Sequence, residues 1–337
     1  MSHVAALVGV GLTVIAQIVS GPTQAPTPDS RPAGHSAYVF AHMTRGDYGR
    51  LYYSVSTDGL TWRPLNNRKR ICDDYRGHAD ICRGHDGRYY LIGNHSRRPD
   101  IHLWVSPNLV RWTKFGSFRP DIYKTPDFKP ALRYHGAPKI LYDMPTRQYL
   151  ITWHSTRTAP DPKQPEAFWS GMRTLYVTSK DLKTFTDPRR LFGFDLATID
   201  VIVRREGPRC YALLKDERYP SFEWPTGKTI RVSSAPSLLG PYTKPGPPIT
   251  PNFREAPTLL PRPDGKAWYL YYEQYPGVAY GLSTAPRLAG PWYSVYCGRY
   301  KVPPSVRHGC IVPISTSQYN ALLTAYAPKP PAKPPVP

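Results

Sequence analysis

Apolar and polar positions along this chain alternate in short runs, and no long stretch repeats at helical spacing. Five units share one design. They are HADICRGHDGRYYLIGN from His78, GAPKILYDMPTRQYLITWH from Gly136, TIDVIVRREGPRCYALLKD from Thr198, REAPTLLPRPDGKAWYLYYE from Arg254 and RHGCIVPISTSQYNALLTAY from Arg307. Each begins with a polar or charged residue, continues as a short apolar run and turns. In the first four the run after the turn is rich in aromatics. Period-two runs bounded by turn residues predict β-hairpins.

A second pattern interleaves with the first. Five strands end in a Ser/Thr-rich turn followed by an aromatic, at Trp62, Trp112, Phe185, Tyr242 and Trp292. The period is about 50 residues, which for short strands predicts propeller blades rather than a helical solenoid. The chain therefore reads as all-β, a five-bladed β-propeller over residues 36–326. The first hairpin, Tyr38 to Trp62, has no opener before it, and the opener at His308 has no hairpin after it. Pairing the N-terminal strands with the last inner strand completes the fifth blade and fastens the ring. One interval is lengthened by RTAPDPKQPEAFWSGMR (157–173), a loop of the kind that carries binding function.

Composition agrees with this reading. Forty prolines and 25 glycines imply many turns, and 25 Tyr with 8 Trp suit half-buried strands. Residues 1–21 read as a signal peptide, because an apolar run from Val4 to Val19 precedes Ser20-Gly21-Pro22. An uncleaved anchor is the alternative; the expectation is a secreted or periplasmic protein without stable membrane insertion. Residues 22–35 read as a Pro-rich linker and 327–337 as a Pro-rich disordered tail. Five cysteines form no even disulfide framework; Cys82 and Cys310 read as buried thiols, and without a CxxC no zinc cluster is expected.

The net charge is +20, from 44 Lys+Arg against 24 Asp+Glu. That field attracts polyanions. The basic residues are scattered and lack a nucleic-acid motif, so nucleic acid is not an expected partner. A solvated basic surface and an acidic polysaccharide remain as readings.

The openers bring candidate chemistry. In a propeller the starts of the inner strands crowd the axis, so Asp80, Lys139, Asp200, Glu255 and His308 are expected to converge. Like charges in one concave site resist joint ionisation. Glycoside hydrolysis uses such a group: one carboxyl protonates the leaving oxygen and another activates water or attacks the sugar.

With these motifs in view, the sequence resembles the five-bladed β-propeller glycosidases of glycoside hydrolase family 43, in the β-fructosidase superfamily. The resemblance covers Tyr38 to Tyr326. It implies a general base at Asp80 in HADIC, where relatives have Asp-Pro. It implies a carboxylate that tunes the acid at Asp200 in TIDVIV, and a general acid at Glu255, with Glu-Ala-Pro for the usual Glu-Gly-Pro. It also implies an axial His308 in Arg307-His308-Gly309. Lys139 stands where many relatives carry Glu, a cation for an acid, which leans toward an anionic substrate. Lys139, Lys215, Arg307, His308 and Trp169 are the expected substrate contacts. Trp153, Trp224 and Tyr275 are further aromatics able to stack on sugar. No cofactor or catalytic metal is required, and the axis near His308 admits a structural calcium ion.

The reading is thus an exported, monomeric glycosidase acting on a polysaccharide or oligosaccharide, with inversion expected. Its alternatives are a retaining fructosidase-like enzyme or a phosphorylase on the same propeller, and a non-catalytic carbohydrate-binding propeller. Fold alone does not separate them.

Overall fold

The protein is described by a computed structural model over residues 36–94, 99–277 and 279–327. The leader and linker expected over 1–35 and the tail beyond residue 327 lie outside the described residues. Three strands come first: β1 (Ala37–Thr44), β2 (Asp47–Ser56) and the short β3 (Arg63–Pro64). The next sheet holds β4 (Asp80–Arg83), β5 (Tyr89–Asn94), β6 (Ile101–Ser106) and β7 (Thr113–Phe118). It is followed by β8 (Gly136–Asp143), β9 (Gln148–Thr156), β10 (Met172–Ser179) and β11 (Arg189–Arg190). The third blade has β12 (Thr198–Glu206), β13 (Arg209–Asp216) and β14 (Thr229–Ala235). The fourth has β15 (Arg254–Pro261), β16 (Trp268–Gln274), β17 (Ala279–Ala285) and β18 (Tyr293–Ser294). The last strand, β19 (Val306–Ile314), pairs antiparallel with β1, so the fifth sheet runs β19-β1-β2-β3. The five sheets are separate, and none closes on itself.

What holds the blades together is the period of two. Along β9, Tyr149, Ile151 and Trp153 pack with Tyr90, Ile92 and Leu103 of the first blade. Leu150, between them, packs with Val201, Val203 and Leu214 of the third. The same division recurs on β13, where Ala212 and Leu214 face back to the second blade and Leu213 faces the fourth. On β16, Leu270 and Tyr272 join the third blade, while Tyr269 and Tyr271 join Tyr38 and Phe40 of β1. On β1, Val39 and Ala41 meet Tyr89 and Leu91 of the first blade. Alternate side chains point to opposite faces of a strand, so each middle strand serves two interblade cores. Both faces are therefore apolar or aromatic. Trimming one of these residues to Ala costs about 2–5 kcal/mol.

The Ser/Thr-rich turns also have a physical cause. Ser56 Oγ accepts from Gly59 N at 2.9 Å, and Asp58 Oδ1 accepts from Leu60 N and Thr61 N, both at 2.7 Å. Ser179 and Asp181 repeat this at Leu182, Lys183 and Thr184. Short polar side chains here satisfy turn N–H groups that have no strand partner. The aromatic that follows is also tied down: Tyr242 Oη donates to Leu238 O at 2.9 Å, and Trp292 Nε1 to Leu288 O at 3.2 Å.

Two helices were not expected from the pattern. α1 (Pro165–Ser170) lies in the long loop of the second blade, and α2 (Thr316–Ala325) follows β19. α2 is opened by a capping box between Ser315 and Gln318 and buries Leu322 under β1 and β19. Among the described residues no helix is long and apolar enough to cross a membrane.

Candidate active site

The inner edges β4, β8, β12, β15 and β19 contact one another in sequence around the axis. Four of them begin with the same distortion. The ladder slips between Gly136 and Lys139, between Ile199 and Ile202, between Glu255 and Thr258, and opposite His42/Met43 on β19. At each slip a non-glycine residue has positive φ: Ala137 at 41°, Asp200 at 52°, Ala256 at 50° and His308 at 28°. Such bulges bend a strand and re-aim its side chains, and residues held there against their preference cluster at functional sites. The starts of four inner strands are thereby bent, and β4, which carries Asp80, is not.

Glu255 is the centre of the resulting group. Its side chain is 14% exposed, and its Oε2 lies 2.9 Å from Lys215 Nζ. Oε1 lies 3.6 Å from both Arg307 Nη2 and His308 Nε2. Lys215 is also 2.9 Å from Glu217 Oε2. Burial works against its charge, but Glu255 and Glu217 more than compensate and raise its pKa. Glu217 in turn meets Lys228, which reaches Glu166 of α1 at 2.8 Å. The sequence reading missed Glu217 and Lys228.

Asp200 lies buried beside this group, and its Oδ2 accepts a hydrogen bond from Ala256 N at 3.1 Å. Burial alone would raise its pKa. The surrounding positive potential of His308, His154, Lys139 and Lys215 instead holds it well below the usual carboxylate range. Burial pushes both imidazoles down to about 4, so near neutrality the two lysines supply that potential. Asp200 is a buried carboxylate beside the more accessible Glu255.

Asp80 is placed differently. It is 2% exposed, and its Oδ2 accepts from Ile140 N at 2.7 Å, tying the first blade to the second. With Lys139, Thr152, Val201 and Arg204 it lines a space of about 10 Å³, room for one water at most. His78, two residues earlier, has its ring 4.4 Å from that of His308 at an 8° angle. Tyr48 Oη is 2.8 Å from His78 Nε2. Lys139, 6% exposed, shares the small space with Asp80.

Arg307 and His308 also contact Glu273, a carboxylate not foreseen from sequence. Arg307 Nε pairs with it, and its Oε2 accepts from His308 N at 3.1 Å. Burial, reinforced by the charge of Glu255, raises its pKa to about 7. Oxygens of Glu255 and Glu273 and a nitrogen of His308 lie within 4.8 Å of one another. As a calcium site the set fits poorly: Arg307 already bridges the two carboxylates, and Lys215 holds Glu255. A hard divalent cation needs six to eight oxygen ligands.

The aromatics divide. Trp153 is buried core. Trp169 sits on α1 against Phe168, which meets Tyr134, which meets His154, with ring centroids 5.2, 5.8 and 5.8 Å apart. Tyr275 lies under Lys215 Nζ at 4.2 Å. A larger cavity of about 360 Å³ lies elsewhere, lined by Arg63, Leu65, Asn67, Arg68, Leu323 and Tyr326. It contains none of the axial residues.

No curated protein matches the sequence. Among solved structures, an α-L-arabinofuranosidase from Lactobacillus brevis is 16% identical with a TM-score of 0.50, covering 65% of this chain and 72% of its own. An exo-β-1,3-galactanase from Clostridium thermocellum is 16% identical with a TM-score of 0.50. The match covers 66% of this chain but only 49% of that one. A thermostable family-43 glycoside hydrolase is 20% identical with a TM-score of 0.48, covering 66% and 72%. At such identities the two likenesses with a TM-score of 0.50 speak to the fold alone. Residues 34–320 match the profile of a family described as "Probable glycosyl hydrolase domain", related to glycoside hydrolase family 43. With its axial carboxylates on a five-bladed propeller, the chain belongs to that family of glycosidases.

Proposed function

We propose that the protein hydrolyses glycosidic bonds with inversion, with Glu255 as general acid and Asp200 as the carboxylate that activates water. The observation that carries this is geometric: buried Asp200 accepts a hydrogen bond from Ala256 N, the residue next to the more accessible Glu255. Glu255 gives its proton to the leaving oxygen as the bond to the anomeric carbon breaks. Water, losing a proton to Asp200, attacks that carbon. The resemblance assigns the base to Asp80. Both aspartates are buried and each accepts one backbone N–H; Asp200 is preferred because its partner, Ala256 N, belongs to the residue next to Glu255.

Lys215 and Arg307 are both committed to carboxylates, which favours a neutral glycan over an acidic one. Any cation near His308 would be structural and would have to displace Arg307. The apolar run at Val4–Val19 supports export. The test is to incubate purified protein with aryl glycosides and with neutral and acidic polysaccharides, and to follow the anomeric configuration of the first product by NMR. Cleavage by the wild type that is lost in Glu255→Gln on natural substrates supports the reading. Net retention would replace inversion by the fructosidase-like alternative. Absence of cleavage on every substrate would leave the carbohydrate-binding alternative.

A further inference from the structure

Three aromatic rings leave the axial group between the third and fourth blades. Tyr275, in the turn between β16 and β17, starts beneath Lys215, whose ammonium is 2.9 Å from Glu255. Phe253, just before β15, lies 5.9 Å from Tyr275, and Tyr219, in the β13–β14 loop, lies 5.8 Å from Phe253. Phe253 and Tyr275 are half-buried and Tyr219 is 55% exposed. Phe253 is held at a φ of 58°, an uncommon cost for a bulky residue. Tyr275 N bonds to its carbonyl at 3.1 Å.

The outer loop is anchored. Arg218 makes a two-pronged contact with the buried Asp216 at 2.9 and 2.6 Å and lies 3.9 Å over the Trp224 ring. Trp224 N bonds to Ser221 Oγ at 3.1 Å, and Asn252 Nδ2 to Pro225 O at 2.9 Å. Phe222, at the tip, is 99% exposed. Aromatic surface is left uncovered at Tyr219 and Phe222, with Phe253 and Tyr275 packed edge-on behind them, and an anchored loop whose nearby Lys215 is neutralised suits the apolar faces of uncharged sugars.

We propose that Tyr275, Phe253 and Tyr219 form a sugar-stacking run that seats successive units of a neutral glycan chain leading outward from Glu255. This rests on the glycosidase reading for what occupies the axis, and the test keeps the two apart. Native gels containing arabinan, β-1,3-galactan or xylan read binding without cleavage. The wild type is retarded by at least one of them. Tyr219→Ala and Phe253→Ala each weaken that retention roughly three- to tenfold, and the double variant weakens it further. Tyr293→Ser, at the outer edge of the fourth blade and 61% exposed, migrates as the wild type does. A wild type retarded by none of the three gels overturns the run, as do ring variants retarded equally with it. Retention that the ring variants lose, in a protein that cleaves no glycoside, removes the glycosidase reading and leaves the run standing.

Discussion

The ammonium of Lys215 stands 2.9 Å from Glu255 Oε2 and the same distance from Glu217 Oε2. One buried cation therefore faces both the proposed acid and a second carboxylate behind it. Lys215→Met removes a positive charge from beside Glu255, which then keeps its proton to higher pH. The alkaline limb of the kcat/KM profile should move upward while the protein stays folded by circular dichroism. An unmoved limb would separate Lys215 from the acid.

Glu255→Gln should distinguish leaving groups. A poor leaving group needs the proton that Glu255 supplies, and an activated aryl leaving group needs it far less. Cleavage of natural glycosides should fall by a factor of about 10²–10⁴, with aryl glycosides much less affected. Equal losses on both would remove Glu255 as the acid.

Asp80 and Asp200 give opposed expectations. Asp200→Asn should abolish cleavage of both substrate types. Asp80→Asn should keep most of the activity and lower stability by about 1 kcal/mol through a weakened bond to Ile140 N. Denaturant titration and kinetics on the same samples read both effects. Loss of activity in a fully stable Asp80→Asn variant would return the base to Asp80.

Much of the architecture was legible because the middle strands alternate between two cores, and that alternation appears as aromatic and aliphatic runs. Glu255, Asp200 and His308 were legible as openers, and Arg307 through the Arg-His-Gly motif. The depth of Asp80 was not. His78 lies in the bend just before β4, two residues ahead of Asp80. Only the packing of β4 against β8 and β19, which no local pattern encodes, brings His78 to His308 and leaves Asp80 against Ile140 N. Glu273 was passed over inside WYLYYEQ, although a lone acid in an aromatic strand was a usable signal. α2 is announced by Ser315 and Gln318 at capping-box spacing, a signal masked in the sequence by the hairpin-like pattern of the unit from Arg307.

Acid should weaken the fold through His42. It is buried, with Nδ1 donating to Met43 O and Nε2 accepting from Ser54 Oγ, both at 3.0 Å. Burial lowers its pKa from 6.5 to about 4, against the opposing Met43 bond. Between those values the unfolded chain binds the proton that the folded one refuses, so stability falls as pH drops from 6.5 toward 4. At pH 5 the loss from this residue is about 2 kcal/mol. His42→Gln should flatten the fall in Tm between pH 7 and 5. An unchanged slope would place the acid sensitivity elsewhere.

Gly309 tests the shared sheet. A Cβ there would meet Ala41 O at 2.1 Å, and its φ is +146°. Gly309→Ala should cost about 2–4 kcal/mol, read by denaturant unfolding. A neutral result would show that β1 and β19 can part without consequence.

That sheet also sets an order of assembly. β1 emerges from the ribosome well before its ladder partner β19, which ends at Ile314. Until β19 follows, the edge of β1 that it covers is open, and four blades precede completion of the fifth. The entropy of bringing distant segments together is met in one late step. Until then Tyr38 and Phe40 face solvent or a chaperone, and an exposed apolar edge invites pairing with another chain. Nascent chains stalled before residue 306 should therefore aggregate, and a permuted gene that begins at β19 should relieve the delay.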